Sequence, residues 1–341
     1  MPLALLLFLP LACVPTPRDS GLAAPLEPLA LPCGDAAVTA IAAASGGRGW
    51  VACGDGLLAT DDAGRSFAVD APAARVEINR LHIEPDGALL ACGADPESAG
   101  LLWRQPRAGG WELLLDTADA GDLGACERVA RTPGGGLAVS GAAAPGLVLR
   151  GRDGAWRRPS RWVEGPEPRI YDLLGTAGGW AALGAGLVGP PSFLVSASAS
   201  EPLPLAVVLP EPDFVGELWA LGTPDGGATW VAGGRDLGDD EGPTAVLLRS
   251  DDGGATWGRA PLPVGLGWIR ALVFSSDRGC GVAVGQRQVR DEGGFLLVSC
   301  DAGASWAEVA AVLPPLRAAA ALDEGFLAGG EDGYLGRGWW P

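Results

Sequence analysis

The chain of 341 residues contains no lysine, one histidine, one asparagine and one methionine. Its 24 basic residues are therefore all arginine, and 41 acidic residues give a net charge of −17. Because nucleic-acid binding depends mainly on basic side chains that neutralise phosphates, this balance argues against a nucleic-acid partner. The same charge disfavours direct binding to an anionic membrane surface.

The scarcity of histidine also limits the chemistry that the chain can perform. His82 alternates with apolar neighbours, as in a strand, and no Cys-x-x-Cys pair occurs anywhere. A zinc site and a Ser/His/Asp triad each need more than this sequence offers. We therefore expect no metal and no cofactor.

Long apolar runs are absent except at the N-terminus. The run from Leu3 to Leu11 is too short to span a bilayer, and Ala12, Cys13 and a proline-rich stretch follow it. This arrangement resembles a bacterial lipoprotein signal. The resemblance implies a signal peptide over residues 1–13, lipidation of Cys13, a flexible tether over 14–30 and a place in the bacterial cell envelope, at the outer membrane or cell surface. Simple secretion or a periplasmic location is the alternative.

Three copies of the pattern Ser/Thr-x-Asp-x-Gly-x-Ser/Thr-aromatic recur far apart in the chain: TDDAGRSF (60–67), SDDGGATW (250–257) and SCDAGASW (299–306). The aspartate can accept hydrogen bonds from the turn, and the glycine can supply a positive φ. The motif resembles the Asp-box, or bacterial neuraminidase repeat, of β-propellers such as sialidases, xyloglucan-degrading glucanases and photosystem II assembly factors. The resemblance implies that Asp62, Asp252 and Asp301 are structural residues of rim hairpins.

Short apolar segments that end in glycine form a second repeat: WVACG (50–54), LLACG (89–93), LAVSG (137–141), WAALG (180–184), WVAGG (230–234), GVAVG (281–285) and FLAGG (326–330). Their spacing fits one four-stranded blade per repeat. We therefore predict an all-β, seven-bladed β-propeller of four-stranded antiparallel blades over residues 31–341. The segment LEPLALP, before Val38, could supply the outer strand of the last blade and close the ring.

The same register separates a fourth motif match, TPDGGATW (223–230), from the other three. Its tryptophan begins the repeat WVAGG, so it lies in the turn between the first two strands of a blade. We interpret it as a coincidental glycine-rich hairpin.

Six cysteines remain besides Cys13, and an even number in an exported chain favours disulfides. Cys280 and Cys300 fall on adjacent strands of one blade, so we predict that they pair. Cys92 with Cys126 and Cys33 with Cys53 are candidate pairs, and other pairings stay open.

Arginine recurs where the first strand of a blade begins, in five of the seven blades: Arg80, Arg128, Arg169, Arg270 and Arg317. At one repeat position these side chains would form a ring at the mouth of the central channel, suited to an acidic peptide, carboxylate, sulfate or phosphate. The alternative is that each arginine pairs with a carboxylate of its own loop, such as Glu77, Glu127, Glu167 or Asp172.

A sialidase-like activity would need an arginine triad, a Tyr–Glu pair and a general acid. Tyr171 stands beside Arg169, but the Arg-Ile-Pro signature of those enzymes is absent and Tyr334 lies in the last blade. We therefore expect a non-catalytic, exported, monomeric scaffold that binds a protein or an anionic ligand at the mouth of the channel. A glycan-active hydrolase is the alternative.

Overall fold

A computed structural model describes residues 26–70, 76–95, 100–116, 123–132, 135–143, 146–158, 169–176, 179–185, 191–196, 206–208, 214–238, 242–288, 293–309 and 312–341. Cys13 and most of the predicted tether lie outside these residues, so the lipid anchor stays a prediction. No helix among the described residues is long and apolar enough to cross a membrane.

The described strands pair into seven four-stranded antiparallel sheets. Blades 1 and 2 consist of β2 (Val38–Ala43), β3 (Gly49–Cys53), β4 (Gly56–Thr60) and β5 (Ala68–Val69), then β6 (Glu77–Ile83), β7 (Leu89–Ala94), β8 (Gly100–Gln105) and β9 (Glu112–Asp116). Blades 3 and 4 consist of β10 (Cys126–Arg131), β11 (Leu137–Gly141), β12 (Leu147–Arg150) and β13 (Trp156–Arg157), then β14 (Arg169–Thr176), β15 (Gly179–Ala185), β16 (Pro191–Ser196) and β17 (Ala206–Val208).

Blades 5 and 6 consist of β18 (Gly216–Gly222), β19 (Trp230–Asp236), β20 (Thr244–Ser250) and β21 (Gly258–Arg259), then β22 (Leu266–Phe274), β23 (Gly281–Arg287), β24 (Gly294–Ser299) and β25 (Ala307–Glu308). Blade 7 consists of β26 (Leu316–Leu322), β27 (Gly325–Gly330) and β28 (Leu335–Trp339), with β1 (Glu27–Leu29) as its outer strand. A short 3-10 turn, Ser45–Gly47, joins β2 to β3. The all-β propeller of four-stranded antiparallel blades is confirmed.

The first and last described strands meet in blade 7 and close the ring. β1 pairs antiparallel with β28, with Glu27 opposite Arg337 and Leu29 opposite Leu335. The prediction that LEPLALP supplies the outer strand is confirmed, and residues 27–29 therefore belong to the propeller rather than to the tether predicted over 14–30. A blade that shares both termini leaves no open edge at this joint.

The hydrophobic core is divided among the blade boundaries. Each of seven buried clusters combines residues of two neighbouring blades, and the cluster between blades 7 and 1 joins Val38 and Ile41 to Ala318 and Leu335. The second strands are buried along almost their whole length, because each has a strand on either side in its own sheet and a neighbouring blade on either face. That position explains why they read as short, continuous apolar runs.

A β-bulge interrupts the first strand of every blade, close to its start. In six blades the residue before the bulge pairs with the glycine that ends the second-strand repeat. A Cβ added at Gly234 would lie 1.9 Å from the Glu217 carbonyl oxygen, and one at Gly285 would lie 1.7 Å from the Trp268 oxygen. The repeat therefore ends in glycine because the bulged backbone leaves no room for a side chain.

All three cysteine pairs considered from the sequence form disulfides. Cys280–Cys300 joins the second and third strands of blade 6. Cys92–Cys126 connects blade 2 to blade 3, and Cys33–Cys53 connects the segment after β1 to blade 1. Two of the three bonds therefore cross a joint in the ring.

The aspartate motifs at 60–67, 250–257 and 299–306 occupy the turns between the third and fourth strands of their blades and share one hydrogen-bond pattern. In the second copy, the Ser250 hydroxyl accepts from the Gly254 N–H at 2.8 Å, and Asp252 Oδ1 accepts from the Thr256 N–H at 2.8 Å. Hydrogen bonds from side chain and backbone at the next Ser or Thr lower the pKa of Asp62 and of Asp252 to about 2. This pattern accounts for the motif spacing.

The fourth motif match lies in the turn between β18 and β19, as its register predicts. It nevertheless forms the same bonds: Gly227 N–H donates to the Thr223 hydroxyl at 2.7 Å and Thr229 N–H donates to Asp225 Oδ1 at 2.8 Å. The resemblance is therefore not a coincidence of sequence. The motif specifies a hairpin turn, and blade 5 uses that turn at a second place.

Candidate binding face at the channel mouth

The bulge residues of the first strands surround one end of the central channel. We call this end the mouth face; it comprises the strand starts, the loops that lead into them and the loops between second and third strands. Hydrogen bonds join these loops, for example from Leu237 N–H to Val215 O at 2.7 Å and from Glu331 N–H to Pro315 O at 2.9 Å. The bulge residues are Thr39, Asn79, Glu127, Tyr171, Trp219, Arg270 and Arg317, and β22 has a second bulge residue, Gly267, nearer its start.

Two of the bulge residues tie their own blade to the next one. The Thr39 hydroxyl donates to the Ile78 carbonyl at 2.6 Å, and the Asn79 amide donates to the Cys126 carbonyl at 2.9 Å. Both acceptors are the residue just before the bulge of the neighbouring blade. The bulge side chains of blades 1 and 2 therefore form structural bonds between blades, and the functional candidates lie on blades 3–7.

The prediction that five arginines share one repeat position is wrong. Arg270 and Arg317 are bulge residues, Arg80 and Arg128 directly follow the bulge, and Arg169 precedes it by two residues. The extra residue of a bulge changes which side of the strand each side chain faces. The five arginines therefore divide into separate groups with different partners.

Arg80 and Arg128 both contact the buried carboxylate of Asp172. Arg80 Nη2 lies 3.5 Å and Arg128 Nε 3.4 Å from Asp172 Oδ1. Asp172 also accepts N–H groups of Leu173 at 3.0 Å and Leu221 at 2.9 Å. Burial lowers the pKa of Arg128, and the charge of Asp172 opposes that effect. This network joins blades 2, 3, 4 and 5 inside the channel, so these two arginines have a structural role.

Arg169 and Arg317 form ion pairs at the exposed surface of the mouth face. Arg169 Nη2 lies 2.6 Å from Glu127 Oε1 of the neighbouring blade, and Arg317 Nη2 lies 2.7 Å from Glu331 Oε1 of its own blade. Four of the five arginines therefore have a carboxylate partner, but the alternative that the partner belongs to the arginine's own loop region holds only for Arg317. Arg80, Arg128 and Arg169 each pair with a carboxylate of another blade.

Arg270 contacts aromatic rings instead of a carboxylate. Its guanidinium carbon lies 4.0 Å from the ring centroid of Trp268 and 4.9 Å from that of Trp219. Arg235 stacks on the same two rings at 4.4 Å and 5.0 Å. The two indole rings contact each other, with centroids 5.2 Å apart. We call these four residues the Trp–Arg cluster.

The two arginines of the Trp–Arg cluster differ in charge balance. Arg235 Nη2 lies 2.6 Å from Glu217, whereas no carboxylate of the described residues lies within ion-pair distance of Arg270. Burial, and then the charges of Arg317 and Arg235, lower the pKa of Arg270 to about 10. At neutral pH Arg270 therefore keeps an unmatched positive charge in a partly desolvated place.

Exposed apolar side chains lie on the loops of the mouth face in blades 5–7, before β18, β22 and β26 and after β19. Val264 and Val312 are fully exposed, at 94% and 102%, and Val215 is 60% exposed. Leu237, at 44%, lies beside Val215. We call these four residues the apolar rim. The other two large exposed apolar residues of the described chain, Val69 and Leu113, lie on fourth strands at the outside of blades 1 and 2.

The sequence did not single out Trp219, Trp268 or Arg235. A signal was present, because Arg235 directly follows the glycine that ends the second-strand repeat and so stands at the mouth face. The bulges concealed the two tryptophans in the sequence. Trp219 is the bulge residue of β18, and Trp268 lies between the two bulge residues of β22.

Comparison with known proteins supports the fold alone. No family model matches the chain, and no curated protein matches it. YCF48 from Cyanidioschyzon merolae is similar in structure, with a TM-score of 0.66 and 15% identity over 92% of this chain and 98% of YCF48. YCF48 bound to a D1 peptide gives 0.66 and 17% over 93% and 97%.

A larger enzyme shares the same architecture. The GH74 xyloglucanase of Xanthomonas campestris gives a TM-score of 0.68 and 16% identity over 91% of this chain, which spans 53% of the xyloglucanase. Binding proteins and enzymes thus occur among the similar structures, and identities this low carry no function. The chain is a β-propeller.

Proposed function

We propose that the protein is a non-catalytic, exported scaffold that captures a protein partner on the mouth face over blades 5–7. The observation that carries this proposal is the Trp–Arg cluster, which shares the mouth face of blades 5–7 with the apolar rim. Tryptophan and arginine dominate the energetics of many protein interfaces, where they occupy the centre of the contact. A water-exposed group of large apolar side chains around such a centre is typical of an interaction site.

The charge of the cluster favours a carboxylate on the partner. Arg270 lacks an ion-pair partner among the described residues, and its contacts with two indole rings hold the guanidinium in place. A preorganised guanidinium can accept a carboxylate with two parallel hydrogen bonds. A partner segment with apolar side chains next to an acidic group therefore fits this face. The peptide complex of YCF48 supports the capacity of a similar propeller to hold a peptide.

The non-catalytic part of the proposal rests on Tyr171. A tyrosine nucleophile needs a neighbouring base and an accessible phenolate, but burial and the charge of Glu217 raise the pKa of Tyr171. Glu217 itself is paired with Arg235. A screen of the purified protein on sialosides and β-glucans tests this part, and turnover of any of these substrates would contradict it.

Substitutions in the Trp–Arg cluster test the binding proposal. We expect Trp268→Ala and Arg270→Ala each to weaken partner capture by roughly 30-fold, the loss that a 2 kcal/mol interface residue produces. The measurement compares proteins retained from envelope extracts by the wild type and by each variant. Arg249→Ala is the matched control, because Arg249 pairs with Asp251 beside a third–fourth strand turn, at the other end of blade 5.

The result is interpretable only if the fold is intact. Melting temperatures of the variants should therefore stay close to the wild-type value. A partner that is retained equally by the wild type, both cluster variants and Arg249→Ala would overturn the assignment of the Trp–Arg cluster. Arg128 is unsuitable for this test, because its removal leaves the buried Asp172 carboxylate without one of its two cations.

A further inference from the structure

The end of the channel opposite the mouth face contains a cavity of about 400 Å³. Its walls are the final residues of β2, β6, β22 and β26, and alanine is the main residue of two of these strands. Small side chains on blades 1 and 7 widen the channel there. The volume falls within the range of small-molecule sites.

The imidazole of His82, the chain's one histidine, lines this cavity. None of the described residues forms a hydrogen bond with it. Burial and then the charges of Arg80 and Arg131 lower the pKa of His82 to about 4, so the ring is neutral at physiological pH. A neutral imidazole has one N–H donor and one nitrogen acceptor, and a group shielded from bulk water gains from a partner for each.

The charged groups of the cavity are unequally distributed. Asp277 and Asp323 stand on its exposed rim, and neither has a cationic partner among the described residues. Asp277 accepts a hydrogen bond from the Ser275 hydroxyl at 2.6 Å, and Asp323 accepts one from the Gly46 N–H at 3.5 Å. Arg80 lines the inner part, where its guanidinium is within 3.5 Å of Asp172. The entrance is therefore negative, and the inner wall combines small apolar side chains with the neutral ring of His82 and the Arg80 guanidinium, whose charge is matched by Asp172.

We infer that this cavity binds a small organic amine with an aromatic or alkyl body. The ammonium group lies at the rim with Asp277 and Asp323, the body packs on the alanines of β2 and β26, and a polar substituent reaches the His82 ring. This site is separate from the Trp–Arg cluster and needs no protein partner. The two carboxylates favour a cation over an anion of the same shape, and the alanine wall favours a ligand with an apolar body.

The test uses tryptamine as the probe and indole-3-propionate as its anionic counterpart. Because the chain has one histidine, the His82 C2–H proton gives a single imidazole signal in the NMR spectrum of the full chain. We expect a saturable shift of this signal with tryptamine and a far smaller one with indole-3-propionate. The double variant Asp277→Asn/Asp323→Asn should weaken tryptamine binding roughly tenfold.

Asp55→Asn is the matched control, because Asp55 is an exposed carboxylate between β3 and β4, at the mouth face. It should leave tryptamine binding unchanged, as should Trp268→Ala. Absence of a saturable shift with tryptamine, an equal response to both probes, or equal weakening by Asp55→Asn would each overturn the inference. The unperturbed His82 signal of each variant without probe reports that the cavity is intact.

Discussion

At the scale of single residues, His82 links the stability of the fold to pH. Its pKa is about 4 in the folded protein, against an ordinary value of 6.5, because burial and two nearby guanidinium groups disfavour the charged ring. As the pH falls through 6.5, the unfolded chain binds a proton that the folded chain does not bind. The stabilisation that the neutral His82 ring contributes is therefore fully present above pH 6.5 and is lost as the pH falls to about 4.

We predict that His82→Gln makes the protein less sensitive to acid in this window. Between pH 7 and pH 4.5 the wild type should lose about 2–3 kcal/mol more unfolding free energy than the variant, which follows from the shift of His82. Urea unfolding at several pH values measures this difference. The motif carboxylates titrate lower, with pKa values of about 2 for Asp62 and Asp252, and are common to both proteins. Parallel profiles of unfolding free energy against pH in the two proteins would contradict the assignment of this acid sensitivity to His82.

At the scale of elements, each aspartate hairpin has two successive residues in the left-handed region, and the two positions differ in the space they leave for a side chain. Ala63 and Ala302 adopt φ values of 60° and 57°, and the equivalent residue of the second copy is Gly253, at 73°. The following glycine of the third copy, Gly303, has φ 81°, and an added Cβ would lie 2.8 Å from Val231 Cγ2. The first position tolerates a side chain in two of three copies, whereas the second faces a packed neighbour.

We predict that Gly303→Ala destabilises the protein by about 2 kcal/mol, from left-handed strain and the contact with Val231 together. Gly253→Ala is the matched control, because no atom lies within 4 Å of its added Cβ. That variant should cost about 1 kcal/mol or less, since only the strain remains and the unfolded chain loses freedom as well. Thermal unfolding of the two variants compares them. Equal losses would show that packing at Gly303 is unimportant.

Sequence patterns predict the second strands well and the first strands poorly, for a physical reason. The second strands have no bulge, so apolar runs such as Leu89–Gly93 and Phe326–Gly330 can be recognised directly. A bulge adds one residue to a first strand without a mark in the sequence. Arg128 and Arg270 therefore fall at equivalent places in the sequence repeat, yet they occupy different positions relative to the bulge and have unrelated partners.

The same limit applies to the prediction of the candidate site from the sequence. The face was predictable, because the register of the repeats places the strand starts at one end of the channel. The cluster was not, since it depends on how Trp219, Trp268 and Arg270 face one another across two bulged strands. The hydrogen bonds between neighbouring blades described above join residues 39 to 49 positions apart in the sequence, and no local pattern encodes such contacts.

At the scale of the whole molecule, the ring is held at one joint by a three-residue strand. β1 contributes the outer edge of blade 7, and the Cys33–Cys53 bond anchors the segment that follows it to blade 1. Leu29 and Leu31 add apolar contacts to the cluster between these two blades. The disulfide and the strand therefore support the same closure.

We predict that removal of the Cys33–Cys53 bond loosens this closure in addition to lowering stability. Cys280–Cys300 provides the matched control, because both bonds join residues 20 apart in sequence. In the chain-entropy account each double Cys→Ala variant should therefore lose a similar amount, about 3 kcal/mol. Hydrogen exchange of the β28 amides, Leu335–Trp339, distinguishes the two, since only the loss of Cys33–Cys53 frees β1 to separate from β28. Faster exchange in that variant alone is the expected result, whereas identical β28 exchange in both variants would mean that β1 is held by its own pairing and packing.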